Sequence, residues 1–296
     1  MITAVSQGFA GLSLASILLL IALGLVLTFG QMGVINMAHG EFIMAGAYTA
    51  FVLQQVIGAP GVSLLVALPV SFLIGGALGL LLEMTLLHRM YHRPLDTLLV
   101  TWGVSLILQQ VARDVFGAPN VDVAAPAWLS GAVTVLGAEV PRSRVFILLL
   151  AAAAVIVLAL VIRLTSLGRR IRATVENRSL AETSGIGTRS VDRRSFFIGS
   201  GLAGIAGVAL SQIGSIGPTL GTGYIVDAFL VVVVGGIGQL RGAILAALAL
   251  GLLRAGLEFW DWSSATLARV GVFVAIVIFL QLRPQGIFTV RTRSLA

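Results

Sequence analysis

Leu12-Ser-Leu-Ala-Ser-Ile-Leu-Leu-Leu-Ile-Ala-Leu-Gly-Leu-Val-Leu-Thr-Phe29 runs without a single charge. It is followed at once by the polar, glycine-rich Gly30-Gln31-Met-Gly33-Val-Ile-Asn36-Met-Ala-His39-Gly40-Glu41. A helix needs about 20 apolar residues to cross the hydrocarbon of a bilayer, and the first stretch comes close to that. Further apolar runs fall at Phe42–Ile57, Val62–Leu87, Leu98–Val111, Val145–Leu164, Phe196–Ile213, Ile225–Ile237, Ala243–Leu257 and Leu267–Leu282. In lipid a backbone is satisfied only within a helix or a closed barrel, and nothing here alternates as barrel strands do. The reading is an all-α, polytopic integral membrane protein of about eight to nine transmembrane helices, a single domain over residues 1–296. The runs after Gly30 and Gly223 are short and follow glycine-rich polar sequence, which predicts broken or re-entrant helices in the interior.

Composition points the same way. The chain is 58% hydrophobic and 10% charged, with a mean hydropathy of +1.04, whereas soluble domains carry about 25% charge. There is no cysteine, which excludes disulfides, thiolate nucleophiles and cysteine-based metal sites. All 19 basic residues are arginine and the net charge is +7. In a soluble protein that surplus would suggest nucleic acid; here it reads as an orientation signal, because cytoplasmic loops collect basic residues. Alternation of the spans puts Arg89, Arg93, Arg163 through Arg194, Arg241 and the tail Arg283–Arg293 on one side. Only Arg113, Arg142 and Arg144 fall on the other. The expectation is an N-terminus outside and a cytoplasmic tail over 283–296. The first apolar run is too long for a cleaved signal and lacks a basic leader.

Polar residues inside apolar helices are costly and mark function or glue. Asn36, His39 and Glu41 form the densest group, readable as a structural or gating knot, a lining of a transport path or a proton relay. Two candidate ligands make a weak metal signal. Thr97, Thr101, Ser105 and Gln109 are spaced by four and share a helix face, with Trp102 beside them; that ridge either glues helices or lines a path for a small polar solute. Asp227 reads as a helix-capping carboxylate or as a path residue. Two loops are long. Residues 117–144, with Pro119, Pro126, Trp128 and Pro141, read as a connection or part of a docking surface. Residues 165–194 contain Ile171–Ser184, free of Pro and Gly, which predicts a short amphipathic surface helix ended by Gly185, lying on lipid or docked on a partner. The glycine clusters near Gly201 and Gly235 are not phosphate loops, since the chain has no lysine and no strand–turn–helix setting for them. No residue pattern calls for catalysis, a metal or a cofactor.

Gly33-Val-Ile-Asn36-Met-Ala-His39-Gly40-Glu41 resembles the signature of the branched-chain amino-acid type permeases of ABC importers. Asn177, Ala181, Gly185 and Ile186 match that family's Asn-x-x-x-Ala-x-x-x-Gly-Ile coupling segment, and Arg172 stands where the family has a basic residue before it. Glu176 belongs to the same candidate coupling helix. The match continues through Val226-Asp227-Ala228-Phe229, Gly235-Gly236-Ile237-Gly238 and Arg283-Pro-Gln-Gly286-Ile-Phe288. Within the family, Arg93-Pro-Leu95-Asp96 through Gln109-Gln110 and Thr222-Gly-Tyr224 are similar to the urea-importer branch, with Gly223 where asparagine is usual. The resemblance implies a permease for urea or a short amide, with branched-chain amino acids as the alternative and a passive urea channel as the reading from another class. It implies two cytoplasmic ATPases, a second homologous permease, a periplasmic binding protein and membrane lipid as partners in a bacterial inner membrane, and no nucleic acid. The chain has no Walker motif, so ATP hydrolysis falls to the partners.

Overall fold

The computed structural model describes residues 2–91, 93–135, 137–259 and 265–288. Eleven α-helices make up almost all of that: α1 (Ile2–Met32), α2 (His39–Ile57), α3 (Pro60–Thr85), α4 (Pro94–Phe116), α5 (Arg142–Leu164), α6 (Ser166–Glu176), α7 (Arg178–Thr183), α8 (Thr188–Leu210), α9 (Thr222–Gly235), α10 (Leu240–Phe259) and α11 (Ala265–Leu282). Each apolar run of the sequence lies mainly on one of these helices, with the runs ending at Leu87, Ile213 and Ile237 passing two or three residues beyond α3, α8 and α9. By length and composition α1, α3, α4, α5 and α10 can cross a membrane, and α9 and α11 are shorter apolar helices.

A helix that is apolar all round belongs in the middle, and α1 is there. Leu20, Ile21, Ala22, Leu23 and Leu25 have no accessible surface, and α1 packs against α10, α8, α9 and α5. Glycines let the other helices close on it. Gly24 of α1 meets the backbone of Gly199 in α8, and Gly11 meets Gly251 of α10. Gly204 of α8 sits against the Ser71 carbonyl of α3 on one side and against Gly46 of α2 on the other. These are the small-residue seams expected where helices associate without a hydrophobic drive.

Two helices begin inside the bundle, as the glycine-rich sequence before them predicts. After Met32 the chain turns at Gly33 (φ +64°) and re-enters. His39, the first residue of α2, places its Nε2 at 3.3 Å from the carbonyl of Ile21, eleven residues before the end of α1. At 1.5 Å per residue that is about 16 Å inside. From the other side, the chain leaves α8, passes Ile216 and begins α9 at Thr222, where Gly221 lies on Gly40. The starts of α2 and α9 therefore meet.

The two long loops differ from their simplest reading. Residues 117–144 contain an antiparallel hairpin, β1 (Ala132–Val135) on β2 (Ala138–Pro141), and Val121 bridges to Ile216. The expected helix over Ile171–Ser184 is two helices, α6 and α7. They break at Asn177 (φ −157°, ψ 106°), whose Oδ1 accepts from the Leu180 N–H at 3.0 Å. Asparagine is a strong N-cap and its side chain starts a new helix rather than continuing the old one. At the far end Phe288 and Ile287 bond back to Gly235 and Val234. Arg291 and Arg293, and with them the tail beyond 288, lie outside the described residues; every other arginine of the crowded set stands at this same end of the bundle.

Candidate functional site: an inner polar knot and a coupling face

Glu41 stands in the first turn of α2, 1% exposed. Its Oε1 accepts from Ser105 Oγ at 2.8 Å and from Gln109 Nε2 at 3.0 Å. The Gln109 amide also reaches Ser105 Oγ (3.2 Å) and Thr222 Oγ1 (3.0 Å) at the start of α9. Thr101 Oγ1 donates to the Thr97 carbonyl at 2.7 Å and accepts from the Met37 N–H at 3.0 Å. The whole ridge thus faces inward and clasps the re-entrant segment. It joins α4, which is largely exposed along its apolar length, to α2 and α9. Asn36 is fully buried beside it with neither side-chain oxygen nor nitrogen hydrogen-bonded, and Glu41 Oε2 and His39 Nδ1 are likewise unanswered. Buried orphan polar atoms cost about 1–3 kcal/mol each and call for an explanation.

Two expected members are elsewhere. Trp102 points outward, 53% exposed. Asp227 does not cap α9; its Oδ2 takes the Arg269 guanidinium at 2.8 Å, with Arg254 at 4.0 Å. A carboxylate five residues beyond the helix start meets two arginines more favourably than it meets the helix terminus.

At the arginine-rich end, Asn177, Ala181, Gly185 and Ile186 form one folded unit. Ala181 is buried, Gly185 adopts φ +81°, and the Ile186 N–H closes on the Ala181 carbonyl at 2.9 Å. Glu176 is exposed on the rim, and Arg172 spends a donor on the Ile162 carbonyl. The residues that bind this unit to the bundle were not singled out by sequence. Arg178 of α7 pairs at 2.5 Å with Asp192 of α8, which has no accessible surface, and its guanidinium lies 5.3 Å from the Tyr91 ring centroid. Gln31, at the end of α1, donates to Asp192 Oδ1 at 2.8 Å. Tyr91 donates to buried Glu83 at 2.9 Å, and Arg193 stands 3.4 Å from the other Glu83 oxygen without hydrogen-bond geometry. Burial, and then the charges of Asp192 and Glu83, push the Tyr91 hydroxyl's pKa up, so it stays a donor. One signal was available: Glu83 is a lone acid in an apolar run, and such residues are functional or paired by default.

Compared with known proteins, residues 8–282 match the family described as branched-chain amino acid transport system / permease component. The chain is 32% identical to the high-affinity branched-chain amino acid transport system permease protein LivH of Salmonella typhimurium, over 95% of this chain and 94% of the relative. It is 30% identical to the corresponding protein BraD of Pseudomonas aeruginosa, over 94% and 93%. To the permease protein LivM of Escherichia coli it is 28% identical, over 96% of this chain and 70% of the relative. No solved structure matches.

Proposed function

This chain belongs to the branched-chain amino-acid type of ABC-importer permeases, a family of multi-pass membrane subunits rather than enzymes, and from that premise we propose that it carries branched-chain amino acids inward. The observation that carries the substrate choice is the names of the relatives at 30% identity and above, all given for branched-chain amino acids. The geometry supports the same choice over urea. Neutral urea called for an open ridge of hydroxyls and amides, and Thr97, Thr101, Ser105 and Gln109 are instead turned inward on Glu41 and the re-entrant backbone. The start of α9 is exposed at Thr222–Gly223, with Glu41 joined to Thr222 through Gln109, while Asp227, further along the helix, is taken up by Arg269. The positive end of a broken helix favours an anionic substrate group, which an amino acid has and urea lacks.

In this reading the arginine-rich end is cytoplasmic. The α6–α7 unit meets an ATPase, the hairpin loop faces a periplasmic binding protein, and a second permease, of the kind LivM represents, completes the path. Nucleotide-driven movement of α7 passes through Arg178 and Asp192 to Gln31, and so to the re-entrant turn that carries Glu41. The test is uptake of radiolabelled leucine and of urea into vesicles holding the reconstituted complex. ATP-dependent accumulation of leucine is expected; accumulation of urea without leucine would overturn the assignment.

A further inference from the structure

At the arginine-rich end a groove of about 420 Å³ opens between α3, α6 and α8. Its lining is ordered by depth. Ser190, Arg193 and Arg194 stand in the first turns of α8, with Phe197 one turn further in; Met84 closes α3, with Leu80 one turn further in. Along α8 the lining therefore passes from polar and basic near the helix start to apolar toward the middle of the bundle, facing apolar Met84 and Leu80 of α3 and Leu167 of α6. Outside the groove the apolar surface continues along α3 through exposed Leu81 and Leu73. Arg193 has part of its charge answered by Glu83 at 3.4 Å, but Arg194 has no acidic partner among the described residues.

A cleft that is cationic at its mouth and hydrocarbon below suits a molecule with an anionic head and a long apolar tail. A water-soluble partner would leave the lower turns at Leu80 and Phe197 unfilled. We propose that this groove binds one anionic phospholipid, with its phosphate between Arg193, Arg194 and the Ser190 hydroxyl and an acyl chain along Leu80, Met84 and Phe197. Basic pockets between membrane helices hold such headgroups by the same physics. The argument rests on the level of the helix ends and not on the transport reading.

The full chain, purified in neutral detergent, is incubated with dioleoylphosphatidylglycerol or dioleoylphosphatidylcholine, and retained lipid is counted by native mass spectrometry. The anionic lipid should be retained at least about fivefold over the zwitterionic one. Arg194→Gln should lower that retention about fivefold, the equivalent of the roughly 1 kcal/mol contributed by one arginine near an anionic headgroup, at an unchanged melting temperature. Met84→Gln should weaken it through the tail, and millimolar inorganic phosphate should not displace the lipid. Equal retention of both lipids, or an Arg194→Gln chain that binds as before, overturns the proposal. So does displacement by phosphate, or release of the lipid when the ATPases are added, which would make the groove a protein contact.

Discussion

Asp192 is fully buried and its charge is answered from two directions, by Arg178 at 2.5 Å and by the Gln31 amide at 2.8 Å. Removing one partner of such a pair leaves a stranded charge, which is why breaking buried pairs costs about 3–5 kcal/mol. Arg178 keeps 29% of its side chain in water, so Arg178→Gln should cost less, about 2 kcal/mol. Thermal unfolding should show Asp192→Asn relieving part of that loss in the double variant, because the stranded charge is then gone. Strict additivity would mean that the pair contributes nothing jointly. Glu41 is a different case, since both its bonds go to one oxygen. Glu41→Gln can keep that acceptor while removing the charge and putting an NH2 group where the unpartnered Oε2 stands, so transport should slow with the relative uptake of leucine, isoleucine and valine unchanged. Glu41→Ala leaves Ser105 and Gln109 without it and should cost about 1–3 kcal/mol. A changed preference among the three amino acids, with assembly intact, would put Glu41 in the path instead of the knot.

α4 is attached to the bundle in large part through polar groups. Its outward face carries Leu95, Leu99, Trp102, Leu106 and Ile107, all exposed, while its buried face is the polar ridge. Thr101→Val removes the acceptor for the Met37 N–H, and Gln109→Leu removes the link to Glu41 and Thr222. Each change should loosen α4 by about 0.5–1.5 kcal/mol, seen as faster proteolysis of the 117–131 segment and lower uptake of every substrate alike. Uptake and proteolysis both at wild-type levels would mean that α4 is held by something other than its ridge. Spacing by four placed these residues on one face, but it carries no information on which way that face turns; the partners Glu41 and Met37 come from a segment more than sixty residues away. Helix positions were legible for the opposite reason, since expelling apolar runs from water outweighs local preference. The β1–β2 hairpin was not, because two four-residue strands have too little side-chain pattern to stand out in a proline-marked loop. The α6–α7 break was visible only as Asn177, a residue that can cap or continue. Glu83 with Arg193, and Asp192 with Gln31, join residues separated by over a hundred positions, and nothing local announces such pairs.

On the scale of the whole molecule the strongest asymmetry is charge. The crowded arginines lie with α6, α7 and the ends of α1, α3, α5 and α9, and Arg113, Arg142 and Arg144 lie with the hairpin at the other end. A basic loop is retained on the cytoplasmic side during insertion, so this distribution predicts an arginine-rich end that faces the cytoplasm, and the re-entrant starts of α2 and α9 do not alter that prediction because each returns within the interior. Ser130 and Ser184 are both exposed and lie at opposite ends. With no native cysteine to interfere, Ser130→Cys and Ser184→Cys each give one addressable thiol. A membrane-impermeant maleimide should label Ser130→Cys in intact spheroplasts, and Ser184→Cys only in inverted vesicles. Labelling of both from one face would mean that the arginine-rich end is not retained inside. The route from an ATPase through α7, Asp192 and Gln31 to Glu41 would then start on the wrong side of the membrane, whatever substrate the permease carries.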